Sequence, residues 1–423
     1  MKFASSLRSV DLATFDVPPT LRRNRGFLLL WAGQTVSNVG DWINFVAITV
    51  LVYQITASGL SLAVLRATHA VPELILGALA GVCVDRWDRK STMIAADLIR
   101  AALVALMAVS QNVVEIYALS LGVNLAAIFF GPAKQATIPN LVSPETLSRA
   151  NGLSSTTETL ARVLGASIGG LAIATIGLRP AFYLDAASFL VSAGCIASIR
   201  VPRAACPTSE SPSFLIQLAG GWEALRTHPI RRGVTTMAAA QVLGSGVSTV
   251  LAVVLAEKVL GGGAAGYSVL VSAMGVGALI GAAGASALGN RMPRESSFRV
   301  GFLLAALGVL VVGLSRSLAP AALGFAILGG GQIVAGIAGT TLLQEHTPDQ
   351  LRGRVFGFYH TLVHVASLLA AAIAGGLSDR LGAALVITAV GVLEIGLSPL
   401  AFVLVRKRVT SDVGAHGHAP VHE

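Results

Sequence analysis

Several ionisable residues stand inside long apolar runs, and Asp41 is the clearest of them. It shares one helical face with Gln34 and Asn38, because the three lie at i, i+4 and i+7. No basic residue lies within two turns of it along the chain. A carboxyl group in apolar surroundings can take up and release a proton, so Asp41 is our first candidate for proton coupling. The alternative is a hydrogen-bonded carboxylate that only shapes a cavity.

Four further ionisable residues in such runs are candidates for proton coupling: Glu73, Glu158, His360 and His364. The two histidines have the i, i+4 spacing of a metal-binding pair, but no third ligand is evident, so we expect no metal. A role in a proton relay and a purely structural role both stay open for them. Local spacing also predicts three structural ion pairs, which are Glu158 with Arg162, Arg66 with Glu73, and Asp97 with Arg100.

The composition places these residues in a membrane. Of the 423 residues 54% are hydrophobic and 12% are charged, and the mean hydropathy is +0.74. Soluble proteins carry about 25% charged residues, so half of the usual charge is missing. The 46 glycines are typical of helices that pack closely in lipid, and "GVGALIG" from Gly275 is predicted to be such a packing face. The three cysteines lack CxxC spacing and are interpreted as small hydrophobic residues.

A membrane-crossing helix needs about 20 apolar residues, and this window predicts twelve crossings. They lie near residues 26–53, 59–84, 91–110, 114–133, 151–175, 180–199, 231–257, 265–289, 299–315, 319–342, 355–377 and 382–405. Helices are expected rather than barrel strands, because these runs are long and continuously apolar. Most of the 30 lysines and arginines fall on one side if the N-terminus is inside. Both termini are therefore predicted to be cytoplasmic.

The net charge of +9 follows from this topology. Binding to nucleic acid would need clustered basic residues with aromatic residues on an exposed face, and the sequence has no such cluster. We therefore expect the lipid bilayer as a partner and no nucleic acid.

The chain also contains an internal repeat. "SPETLSRANG" from Ser143 returns about 204 residues later as "TPDQLRGRVF", and the polar stripe of α-helical spacing in the first crossing returns as Gln241, Ser245 and Ser248 in the seventh. We predict an all-α membrane protein with twelve transmembrane helices in two six-helix bundles that a pseudo-two-fold repeat relates.

The predicted organisation has five parts: a cytoplasmic tail at 1–25, a first bundle at 26–199, a cytoplasmic linker at 200–230, a second bundle at 231–405 and a cytoplasmic tail at 406–423. The linker contains "SFLIQLAGGWEALRTHP", which is amphipathic and too short to cross a bilayer. It is predicted to lie on the inner membrane surface.

One charged stretch, "GALAGVCVDRWDRK", resembles the signature Gly-x-Leu-x-Asp-Arg-x-Gly-Arg-Arg of the major facilitator superfamily. The matching residues are Gly81, Asp85, Arg86, Arg89 and Lys90, whereas Cys83 and Asp88 depart from the signature. Five further strings resemble the exporter branch that includes enterobactin exporters and macrolide efflux proteins. They are "LLWAGQTVSNVGDW", "ADLIRA", "FFGPAKQATIPNLV", "YLDAASFLVSA" and "LLQEHTPDQLRGRVFGFY".

The resemblance implies the major facilitator fold and a conformational latch on the cytoplasmic side. Asp85 would interact with the start of the eleventh crossing and Arg89 with nearby acids, and Asp97 and Arg100 would belong to the same device. Simple helix termination by these charges is the alternative. "GASIGG" resembles an antiporter signature through Gly165, Gly169 and Gly170, but Ala166 stands at its proline position. "GGLSDRLG" matches the latch signature more literally, but its position predicts a turn on the outer side.

The resemblance further implies that crossings one, four, seven and ten line a central substrate cavity. The candidate cavity residues are Gln34, Asn38, Asp41, Asn124, Gln241, Ser245, Ser248 and Gln332. No GxxxxGK[ST], HExxH or GxSxG motif occurs, so we expect no enzyme, no catalytic residue and no cofactor.

We therefore predict a monomeric, proton-coupled exporter of a small amphipathic molecule, such as a drug, an antibiotic or a siderophore. It would work by alternating access in the bacterial inner membrane. A facilitator or importer of a small metabolite without proton antiport is the alternative.

Overall fold

The computed structural model describes residue 21 and residues 24–200, 214–288 and 292–404. Within these ranges the regular elements are thirteen helices. The first six are α1 (Arg25–Thr56), α2 (Gly59–Arg86), α3 (Arg89–Met107), α4 (Val113–Leu141), α5 (Pro144–Ile176) and α6 (Leu178–Ala197). They are followed by α7 (Phe214–Arg226), α8 (Pro229–Lys258), α9 (Gly263–Leu288), α10 (Arg294–Leu314), α11 (Leu318–Glu345), α12 (Asp349–Leu381) and α13 (Ala383–Leu404).

The twelve long helices follow the order of the predicted crossings. Ten of them contain a described stretch that is long and apolar enough to cross a membrane. The other two, α3 and α5, pack against helices of this set. Most helices extend beyond the predicted apolar runs: α12 covers 33 residues although 355–377 was expected. At 1.5 Å per residue such a helix exceeds the bilayer core of about 30 Å, so its polar ends lie beyond the lipid.

The packing repeats between two halves, α1–α6 and α8–α13. Helix α1 packs on α5 and α6 as α8 packs on α12 and α13, and α3 packs on α4 and α6 as α10 packs on α11 and α13. The main contacts between the halves are those of α2 with α12 and of α9 with α5. The repeat relates these two contacts to each other, because α2 corresponds to α9 and α5 to α12. The all-α membrane fold with two related six-helix bundles is thereby confirmed.

The two ends of the bundle are packed differently. We call the end with the start of α1 and the α2–α3 turn the basic face, and the end with the α1–α2 and α12–α13 turns the opposite face. Toward the opposite face, one large hydrophobic cluster contains residues of both halves. Toward the basic face there are two smaller clusters, and each belongs to a single half. The halves thus share one core toward the opposite face.

A polar contact between the halves closes the opposite face. The carboxylate of Asp379 in α12 accepts hydrogen bonds from Ser58 Oγ at 2.7 Å and from the Gly59 backbone N–H at 2.8 Å, at the start of α2. The expectation that "GGLSDRLG" forms a turn is therefore wrong. Helix α12 continues to Leu381, because only Gly382 adopts the positive φ, 83°, that ends it.

The short helix α7 packs against the second half. Its Gly221 faces the backbone of Arg354 and the side chain of Phe358 in α12, and Trp222 lies 5.8 Å from the Phe358 ring between centroids. Ala224 and Leu225 join the basic-face cluster of that half. The predicted amphipathic helix exists, and it rests on α12.

Glycines allow α9 and α11 to approach closely, as "GVGALIG" predicts. A Cβ at Gly277 would overlap the carbonyl group of Ala326, and one at Gly281 would lie 2.5 Å from the Gly330 carbonyl oxygen. Small residues that let backbones approach are the usual basis of helix packing in lipid.

We expect Gly277→Ala to lower the stability of the protein by about 1–3 kcal/mol, because the new methyl group must push α9 and α11 apart. Thermal unfolding of the purified protein in detergent measures this loss. Gly284→Ala in the same helix is the matched control, because no atom lies within 4 Å of a Cβ there. Equal melting temperatures for the two variants would contradict a close contact at Gly277.

Candidate functional site

A polar cavity of about 320 Å³ lies inside the first half, between α1, α2, α3 and α4. Its size lies within the range of small-molecule sites. The walls combine ionisable, amide, hydroxyl and apolar side chains: Asp41, Trp42, Asn44, Phe45, Ile48, Thr49, Leu65, Arg66, His69, Arg100, Met107, Ser120, Val123, Asn124 and Ala127. Two of the predicted cavity residues, Asp41 and Asn124, therefore line the same space.

Arg66 in α2 is the main cation of this wall. Its guanidinium group lies 4.1 Å above the centre of the Phe45 ring, and its Nη2 has no hydrogen-bond partner among the described residues. The predicted ion pair between Arg66 and Glu73 is wrong, because Glu73 contacts His364 in α12 instead. A cation over an aromatic face gains electrostatic energy that partly replaces an ion pair.

A residue of the second half lies beside Arg66. Tyr267 in α9 is fully buried and lies close enough to interact with Arg66 and Thr49. Its side chain therefore covers Arg66 from the second half, although the residues that line the cavity belong to the first.

Sequence analysis missed His69 as a site residue. Its Nε2 lies 3.3 Å from Ser120 Oγ in α4, and the ring lines the cavity. A signal was present, since Arg66, His69 and Glu73 lie at i, i+3 and i+7 and share one helical face. The stripe was overlooked because only the two charged residues were considered, as a pair.

Behind the cavity, buried acids surround Arg100 in α3. Asp97 and Arg100 form the ion pair that their spacing predicts, and both are buried. The guanidinium group lies 4.6 Å from the Phe130 ring centre and 4.2 Å from that of Phe189. Asp41 and Asp185 are also close enough to interact with Arg100. Three carboxyl groups thus share one guanidinium group in this acid cluster.

Hydrogen bonds connect the acid cluster to the surrounding helices. Gln34 donates to Ser192 Oγ in α6 at 3.0 Å, and the Ser192 hydroxyl lies close enough to Asp97 to interact with it. Ser188 Oγ lies 3.1 Å from an Asp185 oxygen. Gln34 therefore joins α1 to α6, and its role as a substrate contact stays a prediction. It lines a separate small pocket together with Asn38.

The Glu158 carboxylate lies beside that small pocket and pairs with Lys134 in α4 at 2.8 Å. The predicted partner, Arg162, was one turn away in the same helix, and its side chain is outside the described residues. Glu158 is thus paired across helices, and a separate role for it in proton coupling stays a prediction.

The polar stripe of the second half, on α8 and α11, faces its own neighbours. Gln332 donates to Ser245 Oγ at 2.9 Å, and Ser248 donates to the Gly244 carbonyl at 2.9 Å. Gln241 is buried, and its side-chain nitrogen has no hydrogen-bond partner in the described structure. Their role as substrate contacts stays a prediction.

Each half places a buried acid of its sixth helix against a glycine of its first. Asp185 lies against Gly40 in the first half, and Glu394 in α13 lies against Gly244 in the second. Glu394 is 2% exposed, and neither carboxyl oxygen has a hydrogen-bond partner within the described ranges. The repeat therefore extends to buried carboxyl groups, a correspondence that the sequence repeat did not reveal.

The histidines in α12 meet an acid of the other half. His364 Nε2 lies 3.4 Å from Glu73 Oε2, and His364 Nδ1 lies 2.7 Å from the His360 carbonyl oxygen. Within the described part of the chain, no three histidine, cysteine, aspartate or glutamate residues are grouped as a metal site would require.

The latch residues on the basic face act mainly within the first half. Asp88 caps α3 by accepting from the Ser91 backbone N–H at 2.8 Å, which explains its place at the glycine position of the signature. Arg89 donates to the Ala136 carbonyl at 3.0 Å, and its expected interaction with nearby acids stays a prediction. Lys90 donates to the Ala197 and Ile199 carbonyls.

These cations therefore bond to carbonyl groups near the C-terminal ends of α4 and α6, where the helix dipole attracts positive charge. Arg86 is exposed at the end of α2. Gly81 lies in α2, and the Asp85 side chain lies outside the described residues, so the proposed latch of Asp85 on the eleventh crossing stays a prediction.

The glycines of the antiporter-like string are packing positions in α5. Cβ atoms at Gly165 and Gly169 would crowd Trp42 and Ile43 of α1, and one at Gly170 would overlap Ser268 of α9. They let α5 pack closely against α1 of its own half and α9 of the other, and an effect on transport direction stays a prediction.

Comparison with known proteins gives a consistent result. A family model described as transmembrane secretion effector matches residues 19–421. The chain is 28% identical over 397 residues to the uncharacterized MFS-type transporter YfiS of Bacillus subtilis, covering 89% of this chain and 92% of that protein. It is 27% identical over 376 residues to the multidrug efflux pump Tap of Mycolicibacterium fortuitum, covering 85% and 91%.

Macrolide efflux protein A of Streptococcus pyogenes is 27% identical over 206 residues, which are 47% of this chain and 51% of that protein. Among solved structures, an inward-facing, unoccupied bacterial homolog of the lysosomal transporter Spinster has a TM-score of 0.73 at 15% identity, covering 92% of this chain and 98% of that one. A mutant of the nucleoside transporter NupG has a TM-score of 0.70 at 12% identity, with coverages of 90% and 99%.

Proposed function

Because this chain belongs to the transmembrane secretion effector family of major facilitator transporters, we propose that it exports a small amphipathic molecule in exchange for protons. It is a multi-pass membrane transporter and not an enzyme. Two of its relatives are named as drug efflux proteins, which supports the exporter role. The sequence has no P-loop, so we expect an ion gradient rather than ATP to drive transport.

The observation that carries this proposal is the cavity whose wall includes Asp41 and Arg66. Trp42, Phe45 and the apolar residues around them suit the apolar part of a substrate, and the ionisable groups suit its polar part. Asp41 contacts an acid cluster with more carboxyl than guanidinium groups. Binding of a proton lowers this excess of negative charge, and a substrate that enters the same cavity changes the same balance. Proton and substrate would therefore compete.

The packing of the two halves supports transport by alternating access. The shared core and the contact of Asp379 with α2 close the opposite face. Separation of the halves there would open the cavity region toward the opposite face. We infer that the basic face, which holds the start of α1 and the end of α13, is cytoplasmic according to the positive-inside rule. Both termini would then be cytoplasmic, in a bacterial inner membrane, with a single chain as the transport unit.

Transport into vesicles tests the proposal. Purified protein in liposomes is given a macrolide or a fluorescent amphipathic dye, and a difference of one pH unit is imposed across the membrane. One pH unit corresponds to about 1.4 kcal/mol, so up to about tenfold accumulation is expected for exchange of one proton. Collapse of the gradient with a protonophore should abolish accumulation. Uptake that is the same with and without the gradient would overturn proton coupling.

A further inference from the structure

A contact between two ionisable side chains joins the two halves near the middle of the bundle. It lies between the basic face and the contact of Asp379 that closes the opposite face. Glu73 in α2 and His364 in α12 lie near the middle of their helices, and 3.4 Å separates Glu73 Oε2 from His364 Nε2. The two helices form one of the main contacts between the halves. A change in this contact therefore changes the packing between the halves directly.

The hydrogen bonding of His364 determines which of its nitrogens carries a proton. Nδ1 lies 2.7 Å from the His360 carbonyl oxygen. A carbonyl oxygen can only accept, so Nδ1 carries the hydrogen of this bond. Neutral His364 then has no hydrogen on Nε2, and a lone pair faces the carboxylate of Glu73. Two acceptors repel each other, so the contact requires one additional proton, on the imidazole or on the carboxyl group.

We propose that Glu73 and His364 form a proton-binding site shared by the two halves, and that the proton bound there holds the opposite face closed. The proposal deepens the proposed function and rests on it for its physiological role. When the proton leaves to water, the α2–α12 contact weakens and the halves can separate at the opposite face. A proton-driven exporter needs this direction of the effect. It must open toward the outside after it has lost its proton and bound substrate.

Few other ionisable groups face this pair. From α12 it faces His360, whose ring contacts Tyr359 edge-on. From α2 it faces His69, with Arg66 one turn beyond. Among the described residues of α1, α4 and α8, none adds a titratable group that interacts with either member of the pair. The extra proton therefore belongs mainly to Glu73 and His364.

The expected pH dependence follows from the proton count. An isolated imidazole has an ordinary pKa of about 6.5 and is neutral above that pH. In that range the closed contact binds one proton more than the separated residues do. Closure is therefore favoured at acid pH and is lost as the pH rises. Over the interval in which one proton is released, the ratio of closed to open molecules changes by up to about tenfold per pH unit.

Spin labels on the opposite face can measure this change. Gln111, in the α3–α4 turn, and Arg316, in the α10–α11 turn, are exposed and lie in different halves. With the three native cysteines replaced by serine, labels on Gln111→Cys and Arg316→Cys report the separation of the halves in lipid nanodiscs. The measurement is made at about pH 5.5 and about pH 8.5, on either side of the imidazole pKa. We expect the distance between the labels to shift from short to long as the pH rises.

Glu73→Gln is the decisive variant. The amide of glutamine can donate to His364 Nε2 without any additional proton, so the short distance should persist at both pH values. His346→Gln is the matched control, because His346 Nδ1 also contacts the carbonyl four residues before it, at 2.9 Å, but His346 is the C-cap of α11 and does not contact Glu73. It should keep the full pH response. A response that survives in Glu73→Gln, or that is absent from the parent protein, overturns the proposal.

The label measurement and the vesicle assay can fail separately. A pH-dependent label distance together with gradient-independent uptake would retain the shared proton site and reject proton coupling. Gradient-driven uptake with a constant label distance would reject the shared site alone.

Discussion

Arg100→Leu is expected to reduce the stability of the folded protein by about 3–5 kcal/mol, because it leaves the buried carboxylate of Asp97 without its partner. The guanidinium group also lies against the Phe130 and Phe189 rings, and these contacts are lost as well. Thermal unfolding of the purified protein in detergent, together with the monodisperse fraction on size-exclusion chromatography, measures the loss.

A matched control is available in the same chain. Glu223 and Arg226 form an ion pair with the same i, i+3 spacing, but both side chains are more than half exposed. Arg226→Leu should therefore leave the melting temperature almost unchanged. The comparison separates burial from helix spacing as the cause.

The double variant Asp97→Asn with Arg100→Leu gives a second check. It removes the unpaired charge together with its partner, so it should recover part of the lost stability. If the double variant were less stable than Arg100→Leu alone, the lone Asp97 carboxylate could not be the main cause of the damage.

Asp41→Asn is expected to abolish gradient-driven accumulation while leaving downhill exchange of substrate intact. The amide keeps the size of the side chain but cannot take up a proton, so the acid cluster loses one ionisable member. In the vesicle assay with one pH unit, accumulation should fall from up to about tenfold to none. Exchange of labelled for unlabelled substrate without a gradient measures the remaining activity.

Glu223→Gln is the control for Asp41→Asn, because Glu223 is exposed on α7 and pairs with Arg226. It should retain most of the accumulation. Full coupling in Asp41→Asn would exclude Asp41 as the proton carrier, and loss of exchange in that variant would assign it to substrate binding instead.

Contacts between close neighbours in one helix were the most predictable part of the site. Asp97 and Arg100 pair as their spacing suggests, since both point to the buried side of α3. The same rule failed for Arg66 with Glu73, where His364 of another helix is the partner. Helical spacing says which side chains share a face, but the neighbouring helix decides which of them pair.

The fold was more predictable than the cavity. Hydropathy predicts the order of the long helices, because each crossing must bury its own backbone groups. The repeat in sequence predicts the related halves, whose packing depends on small residues such as Gly277. The position of His69 beside Ser120, and the use of Gln34 to hold Ser192, depend on how α1, α2, α4 and α6 rotate about their axes. Apolar helices give little indication of that rotation.

The cover that Tyr267 places beside Arg66 has a consequence for biosynthesis. Tyr267 follows Arg66 by about 200 residues in the chain. At a synthesis rate of about 5–20 residues per second, roughly 10–40 s pass before the ribosome has made it. During that interval the newly inserted first half holds a cation whose cover does not yet exist. The nascent transporter is thus most exposed to membrane quality control while only half of it has been translated.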